Sequence, residues 1–443
     1  MLPEVLWVVP PAAAAVPIGA AVWRNWAPQS WNYGPGAVGS ALRVHLTWSH
    51  VAEGCGLSRK RSRLGWEDGR PRRRQVTRAP KLRFRPSAHG FRVRLRLHDG
   101  QTPSDIARVL DRLAHAWRVH AVRVRDWGPG WVELVATTRD PLVNLKPAPE
   151  NEAGLLRVQL GRLETGEPWV VDFRVIPHWL VIGATQSGKS TDINAMIRGL
   201  APQPVALAGF DLKGGVELTP YEPRLSALAT TRDECGALLD DLLGLLSDRM
   251  ALCREHRVRN VWRLPEEVRA VRAMPVVVFV DEVAELYLMA DRSQKEEVAR
   301  ASTALLRIAQ LGRAFAVYLV VCGQRVGSDL GPGVTALRSQ LSGRICHRVN
   351  DTETAKMALG DLAPESLEAA LSIPAEMPGV AVTVGADGRW HRARSFLVTE
   401  DEAEQAATEF AHMAPSWAEL TSPDATVVPL RDDEDVAEFV EVA

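Results

Sequence analysis

Apolar positions follow different periods in successive stretches of the chain. Val5 to Trp23 runs for 19 residues without a charge, with Trp7 and Trp23 towards its ends. A helix over this run, at 1.5 Å per residue, spans about 28 Å, close to the hydrocarbon core of a bilayer. Pro10, Pro11 and Pro17 oppose it, since an interior proline costs a water-soluble helix about 3 kcal/mol. Residues 1–30 are read as a membrane anchor. Positive charge begins only at Arg24, which places the bulk of the chain on the cytoplasmic side of the cell membrane. Further on, Phe91, Val93, Leu95 and Leu97 alternate with Arg92, Arg94 and Arg96, the period of a strand with one buried face. Thr102-Pro-Ser-Asp105 is a helix start, followed at helical spacing by Ile106, Val109, Leu110, Leu113 and Trp117. Two more strands are expected at Val119–Val124 and Trp131–Ala136. Residues 80–145 thus read as a small α+β domain, and Pro141 to Gly154 as a linker.

From 155 to 397 the pattern becomes alternating strands and helices. Apolar runs predict strands at 179–183, 204–211, 275–281, 316–323, 343–349 and 378–384. Helices are predicted at 189–200, 230–255, 293–312 and 364–371. That alternation implies an α/β fold with a mostly parallel sheet covered on both faces.

The most informative local chemistry lies between the first strand and helix of this region. Gly183-Ala-Thr-Gln-Ser-Gly-Lys-Ser190 fits the phosphate-loop pattern G-x-x-x-x-G-K-[S/T]. A strand passing through a glycine-rich turn into a helix aims backbone N–H groups and the helix's positive end at one point. Gly183, Ala184, Thr185, Gln186, Ser187, Gly188, Lys189, Ser190 and Thr191 form the expected binding segment for ATP. Lys189 would reach the β- and γ-phosphates, and the Ser190 hydroxyl would hold Mg²⁺. A second element completes it: Met274-Pro-Val-Val-Val-Phe-Val-Asp281-Glu282 is an apolar strand tipped by two acids. Asp281 is assigned to the Mg²⁺ hydration shell and Glu282 to orienting and deprotonating the attacking water. Gln324, at the C-terminal end of the strand 316–323, is placed to touch the γ-phosphate or that water.

Composition adds limits. Apolar content of 46% and charged content of 24% suit a soluble globular protein, and the net charge of −1 excludes a wholly basic nucleic-acid coat. Five scattered cysteines without a Cys-x-x-Cys pair exclude a zinc or disulfide framework. Charge is unevenly placed, however. Residues 59–98 carry 15 Lys/Arg and two acids, Glu67 and Asp68, so 31–79 reads as a basic linker. The arginine face at 92–96 is either a solvated sheet face, a contact for DNA phosphates or a contact for anionic lipid; its pattern does not separate the last two. Residues 400–443 hold 13 acids and one base, Arg431, so 398–443 reads as a disordered, solvated tail or a DNA mimic.

Taken in order, Gly183–Ser190, Asp211-Leu-Lys-Gly-Gly-Val-Glu-Leu218 with Tyr221, Arg249…Arg257-Val-Arg-Asn260, Val277–Glu282 and Gly312-Arg-Ala…Gly-Gln-Arg325 resemble the motor domain of FtsK/SpoIIIE DNA translocases. The resemblance covers residues 155–397. His50-Val-Ala-Glu-Gly-Cys-Gly-Leu-Ser58 with the basic run after it resembles the FtsK-like transfer proteins of actinobacterial conjugative elements. The resemblance implies a RecA-like P-loop NTPase motor that assembles as a homohexameric ring and pumps double-stranded DNA using ATP. It also implies an arginine finger from the neighbouring subunit; Arg313 and Arg344 match positions where the family has arginines. Two departures stand out: Leu212 where proline is usual in the strand-end Asp-x-Lys, and Gln186 where many members have glycine. Only about 46 residues, in an acidic run, follow the motor, where many members carry a winged-helix reader of DNA sequence. A separate DNA-addressing protein is therefore expected as a partner. The readings carried forward are a double-stranded DNA translocase for plasmid or integrative-element transfer or chromosome segregation; a single-stranded DNA or protein-secretion ring ATPase; and a non-hydrolysing DNA-binding scaffold.

Overall fold

The computed structural model describes residues 20, 22–24, 26–67, 70–143, 145, 154–289, 294–360, 362, 364–384 and 388–422. It forms two units: Met1–Val143 with Glu164–Glu167, and Asn144–Leu163 with Pro168–Ala443.

In the first unit, helices α1 (Pro28–Tyr33) and α2 (Pro35–Gly54) precede a hairpin of β1 (Arg59–Glu67) and β2 (Arg70–Arg78). A four-stranded antiparallel sheet follows, from β3 (Lys81–Ser87), β4 (Gly90–Arg96), β5 (Ala121–Gly128) and β6 (Trp131–Thr137), in the order β3-β4-β6-β5. Helices α3 (Pro103–Ala107) and α4 (Leu110–Trp117) lie between β4 and β5 in sequence. The expected alternation in β4 is realised: Phe91, Val93 and Leu95 are buried with Ile106, Leu113 and Trp117. The expected single helix breaks at Arg108–Val109, and α4 ends where Arg118 turns left-handed at φ 55°.

Residues 31–79 are not a linker. Val44, Trp48 and Ala52 recur every four residues along α2 and are buried in the same core as β4. The Trp48 indole donates to the Pro80 carbonyl at 2.7 Å. A helix poor in charge was hidden beside a charge-rich hairpin, and the average over both looked like a linker.

The arginine face of β4 is answered by carboxylates. Arg94 donates to Glu133 at 2.9 Å and stacks on Trp127 at 3.4 Å from the ring centre. Arg92 lies 3.8 Å from Glu133 and 3.7 Å from Glu167. On β5, Arg123 grips Glu164 through two hydrogen bonds of 2.6 and 2.8 Å. The bond from Arg125 holds the Glu167 carboxyl below the usual carboxylate range.

The second unit is built on a ten-stranded sheet. Its strands are β7 (Arg157–Leu163), β8 (Pro168–Asp172), β9 (His178–Ile182), β10 (Ala206–Phe210), β11 (Ala227–Ala229), β12 (Val276–Val280), β13 (Val317–Gly323), β14 (Gly343–His347), β15 (Val380–Val384) and β16 (Trp390–Ser395). The order is β11-β10-β12-β13-β9-β14-β15-β16-β7-β8. Pairings from β11 to β14 are parallel, and those from β14 onward to β8 are antiparallel. The sheet is thus mixed: five of the six expected strands lie in its parallel half, and the sixth, β15, pairs antiparallel. Strands β7, β8, β11 and β16 were not expected, because short runs such as Ala227–Ala229 or Arg157-Val-Gln-Leu-Gly-Arg-Leu163 carry little period of their own.

Two hydrophobic cores lie on opposite faces. One joins Leu180, Ile182, Val276, Val278 and Val280 to α6 (Arg232–Glu255) and α9 (Lys295–Phe315). The other joins Trp179, Val181, Val277 and Phe279 to α5 (Lys189–Leu200). Strands buried on both faces need continuous apolar sequence, which is why these runs were legible. The remaining helices are α7 (Glu266–Arg272), α8 (Val283–Tyr287), α10 (Val334–Gln340), α11 (Thr352–Leu359), α12 (Pro364–Leu371), α13 (Glu400–Glu409) and α14 (Trp417–Thr421).

Helices α13 and α14 correct the expected disordered tail as far as Ser422. Ala403 and Ala407 are fully buried in the core beside α5. Glu400, Asp401 and Glu402 stand at the N-terminus of α13, where the helix dipole favours negative charge. The Trp417 indole donates to Asp241 of α6 at 2.9 Å. Acidity here marks a helix start, not solvation. The rest of the acidic run, 423–443, lies outside the described residues. So does most of Val5–Trp23; among the described residues no helix is long and apolar enough to cross a membrane.

Candidate nucleotide site

The segment 183–188 leaves the C-terminal end of β9 and enters α5 at Lys189. Its conformation demands unusual backbone: Gln186 adopts φ 61° and Gly188 φ 114°. A side chain at Gly188 is excluded twice, because a Cβ there would lie 2.3 Å from the Gly379 nitrogen and that φ is strained for L residues. Neighbouring strand ends stitch the loop in place. Gly183 N–H donates to the Gly323 carbonyl at 3.3 Å, Ala184 N–H to Arg348 at 3.0 Å, and Gly379 N–H to Ser187 at 2.9 Å. Thr185 and Gln186 are exposed, as is Ser190 in the first turn of α5; Thr191 follows it, half-buried.

Beside the loop, β12 delivers its two acids. Asp281 N–H donates to the Phe210 carbonyl of β10 at 3.1 Å, which fixes the strand end. Two lysines meet these two carboxylates. Lys189 Nζ lies 4.0 Å from Asp281 Oδ1 and 3.9 Å from Glu282 Oε2. Lys213 Nζ lies 2.8 Å from Asp281 Oδ2 and 4.0 Å from Glu282 Oε2. Lys213 reaches this point because Asp211 folds its loop: the buried Asp211 carboxylate accepts N–H bonds from Lys213, Glu217 and Leu218 at 2.8 to 3.1 Å. Burial raises the Glu282 carboxyl above its ordinary range; both lysines and the N–H groups of Ala284 and Gln324 pull the other way. Among the described residues Glu282 Oε1 is buried and has no hydrogen-bond partner. A desolvated carboxylate with a vacant acceptor lobe is the chemistry of a general base.

Gln324 stands exposed immediately after β13, whose last residue, Gly323, abuts Glu282: a Cβ there would lie 3.0 Å from Oε1. The structure therefore brings together Gly183–Ser190, Asp281, Glu282 and Gln324. It does not bring Arg313 and Arg344 to them. Arg313 is exposed in the last turn of α9, at the end of the sheet where β13 begins. Arg344 is half-buried near the start of β14, donating to the carbonyls of Arg338 at 2.6 Å and Ala358 at 3.4 Å. Burial lowers its guanidinium to about 10. Its donors serve the C-terminal turns of α10 and α11.

Three residues near the loop were not among the expected site residues. Lys213 sits in a recognisable strand-end motif, but its contact with Asp281 joins two loops 68 residues apart. Arg348 follows β14 and reaches the Thr185 carbonyl at 3.5 Å. His347 Nε2 meets Asp192 Oδ2 at 3.0 Å, with both side chains fully buried, and His347 Nδ1 lies 3.2 Å from the Val380 carbonyl. This pair pins the first turn of α5 to β14.

Residues 20–138 match the actinomycete conjugal transfer protein N-terminal domain, and residues 144–328 match the FtsK/SpoIIIE family. The chain is 41% identical over 405 residues to transfer protein TraSA of Streptomyces ambofaciens, covering 88% of this chain and 96% of that protein. It is 29% identical over 222 residues to DNA translocase FtsK of Helicobacter pylori, covering 48% of this chain and 25% of that protein. Among solved structures, the pCW3 conjugation coupling protein TcpA, determined as a monomer with ATPγS, shares the fold. The TM-score is 0.54 at 20% identity, covering 82% of this chain and 98% of that one.

Proposed function

Since the chain belongs to the FtsK/SpoIIIE family of P-loop ATPases, in its actinomycete conjugal-transfer branch, we propose that it hydrolyses ATP to translocate double-stranded DNA through a homohexameric ring. The observation that carries hydrolysis is the cluster of Lys189, Lys213, Asp281 and Glu282 beside the phosphate loop. A relic site has no need to bury two acids against two lysines. The residues fit ATP and Mg²⁺: the Gly188 backbone leaves no room for a side chain, Ser190 is open at a helix N-terminus, and Glu282 Oε1 lacks a partner.

In this reading Lys189 and the loop N–H groups hold the β- and γ-phosphates. Ser190 and Asp281 hold Mg²⁺, which when bound neutralises charge on those phosphates. Glu282 orients the attacking water and takes its proton. Gln324 follows the state of the same water from the tip of β13 and passes it to the loop beyond. The neighbouring subunit supplies an arginine to the γ-phosphate. We assign that role to Arg313, whose side chain is exposed, and not to Arg344, which is half-buried and bonds two helix carbonyls. Residues 5–23 attach the motor to the cytoplasmic side of the membrane; carbonate extraction of a chain lacking them tests the attachment.

ATPase activity of the full chain and of Lys189→Ala, with no polymer, with duplex and with single-stranded DNA, tests the proposal. Strong stimulation by duplex, absent in Lys189→Ala, is expected. Equal or greater stimulation by single strands favours a single-strand or protein-secretion motor. No hydrolysis above the Lys189→Ala background leaves a binding scaffold.

A further inference from the structure

The four-stranded sheet of the first unit packs one face on its core and turns the other outward. Along β3 the two faces alternate. Leu82 and Phe84 pack against the core, with Phe84 stacked on Phe91 at 5.0 Å, while Lys81, Arg83 and Arg85 are exposed. The register sets each of these bases opposite another on β4: Lys81 faces Arg96, Arg83 faces Arg94 and Arg85 faces Arg92. Directly opposed residues of an antiparallel pair share a face. The outer surface of these two strands therefore carries bases in pairs and no acid of its own.

Carboxylates answer only part of this surface. Glu133 on β6, with Glu164 and Glu167, holds Arg92, Arg94, Arg123 and Arg125. Among the described residues no carboxylate meets Lys81, Arg83, Arg85 or Arg96, and Arg96 is exposed like the other three. Bases opposite bases work against folding, since like charges directly opposed destabilise a ladder. Charge on β3 has one structural use: it keeps another chain from pairing with the open edge of the sheet. That use gives no reason for Arg96 opposite Lys81, where an acid on β4 would leave the edge charged and stabilise the pair. The tryptophans of this surface lie under guanidinium groups. Arg83 stands over Trp131 at 5.5 Å from the ring centre, and Arg94 over Trp127 at 3.4 Å.

We infer that the surface of Lys81, Arg83, Arg85 and Arg96 is a second contact for duplex DNA, which grips backbone phosphates without reading sequence. The inference rests on the proposal that the chain works on duplex DNA, and adds a place in the first unit that holds it. Arginine forks match phosphate oxygens in pairs, and phosphate contacts carry no sequence information. The ladder between β3 and β4 runs unbroken from Lys81↔Arg96 to Ser87↔Gly90, so the four cations are already gathered on one side before anything binds. An anionic membrane surface fits less well. An interfacial element buries an apolar side, and here the aromatic rings lie under cations.

The test measures binding of the full chain to a random-sequence duplex over a salt series. Wild type is compared with a variant carrying Lys81→Gln, Arg83→Gln, Arg85→Gln and Arg96→Gln, and with a second carrying Arg83→Lys, Arg85→Lys and Arg96→Lys. Each lost phosphate contact flattens the log–log salt dependence by about 0.9, so the Gln variant should bind more weakly, with a slope shallower by about 3 to 4. The Lys variant should keep the wild-type slope, because charge sets it. The Gln variant should melt no lower than wild type, since what it loses are exposed charges set opposite like charges. An unaltered slope in the Gln variant, while duplex still stimulates ATP hydrolysis, overturns the inference and leaves the motor standing. A Lys variant as weak as the Gln variant overturns it as well, because the effect is then structural. So does a Gln variant that keeps its duplex slope and loses co-sedimentation with phosphatidylglycerol vesicles, which makes the surface a lipid contact. A wild-type chain that neither binds duplex at low salt nor hydrolyses ATP faster with it sinks the duplex motor and this contact together.

Discussion

Replacing Glu282 by Gln tests the catalytic assignment most directly. The substitution keeps the shape of a side chain that is only 9% exposed and keeps one acceptor oxygen. It removes the ability to take a proton. General-base catalysis contributes about 10² to 10⁴ in rate, or roughly 3 to 5 kcal/mol of barrier, so turnover should fall by that factor. Nucleotide binding should not fall. Lys189 now faces one carboxylate at 4.0 Å in place of two, which leaves its ammonium freer for phosphate. The variant should fold as well as the wild type, because a neutral amide at a desolvated position avoids the cost of burying charge. The pH profile supplies a second sign. Burial raises the Glu282 carboxyl above its ordinary range, and the base acts only when ionised. Wild-type turnover should therefore decline on acidification earlier than an ordinary carboxylate would allow, and the residual rate of the variant should lack that limb. Phosphate release measured across pH, paired with equilibrium binding of a fluorescent ATP analogue, reads both quantities. If turnover persists near wild type, or binding is lost in step with it, Glu282 is not the base.

Two further substitutions probe the scaffold. Arg249 is wholly buried and donates to the carbonyls of Phe315 at 2.7 Å, Ala316 at 3.3 Å and Met274; Arg249→Met strands these acceptors. It should cost about 2 to 4 kcal/mol, read as a lower midpoint of thermal unfolding; an unchanged midpoint refutes the role. Ala407 is fully buried on α13, so Ala407→Asp should place an unpaired charge against α5 and cost about 3 kcal/mol or more. A tail that were merely solvated would tolerate it, so an unshifted melting curve contradicts the docked helix.

Much of the motor was legible because its signals are local. The helices at 189–200 and 364–371 begin and end where their periods predicted. The glycines of the loop, with Asp281 and Glu282 directly after an apolar run, stand next to the elements that position them. The tail misled for a physical reason: acids in a first turn and acids in a solvated coil have the same composition, and only Ala403 and Ala407 facing a core distinguish them. Residues 31–79 misled likewise, since the stripe of Val44, Trp48 and Ala52 shares its window with the arginine hairpin.

The amino-acid sequence by itself determined a phosphate loop between a strand and a helix, and the two acids that answer it. It also determined the doubly covered parallel half of the sheet, because burial on both faces demands unbroken apolar runs. Only the tertiary structure decided which distant groups meet. It set Lys213 on Asp281, joined His347 to Asp192 across 155 residues, and turned Arg344 to two helix carbonyls. It also added β16 and β7 to the sheet by pairing Ala393–Ser395 with Gly161–Leu163. Each of these is a contact between segments whose own periods carry no mark of the partner, so the choice was left to the packing of the whole unit.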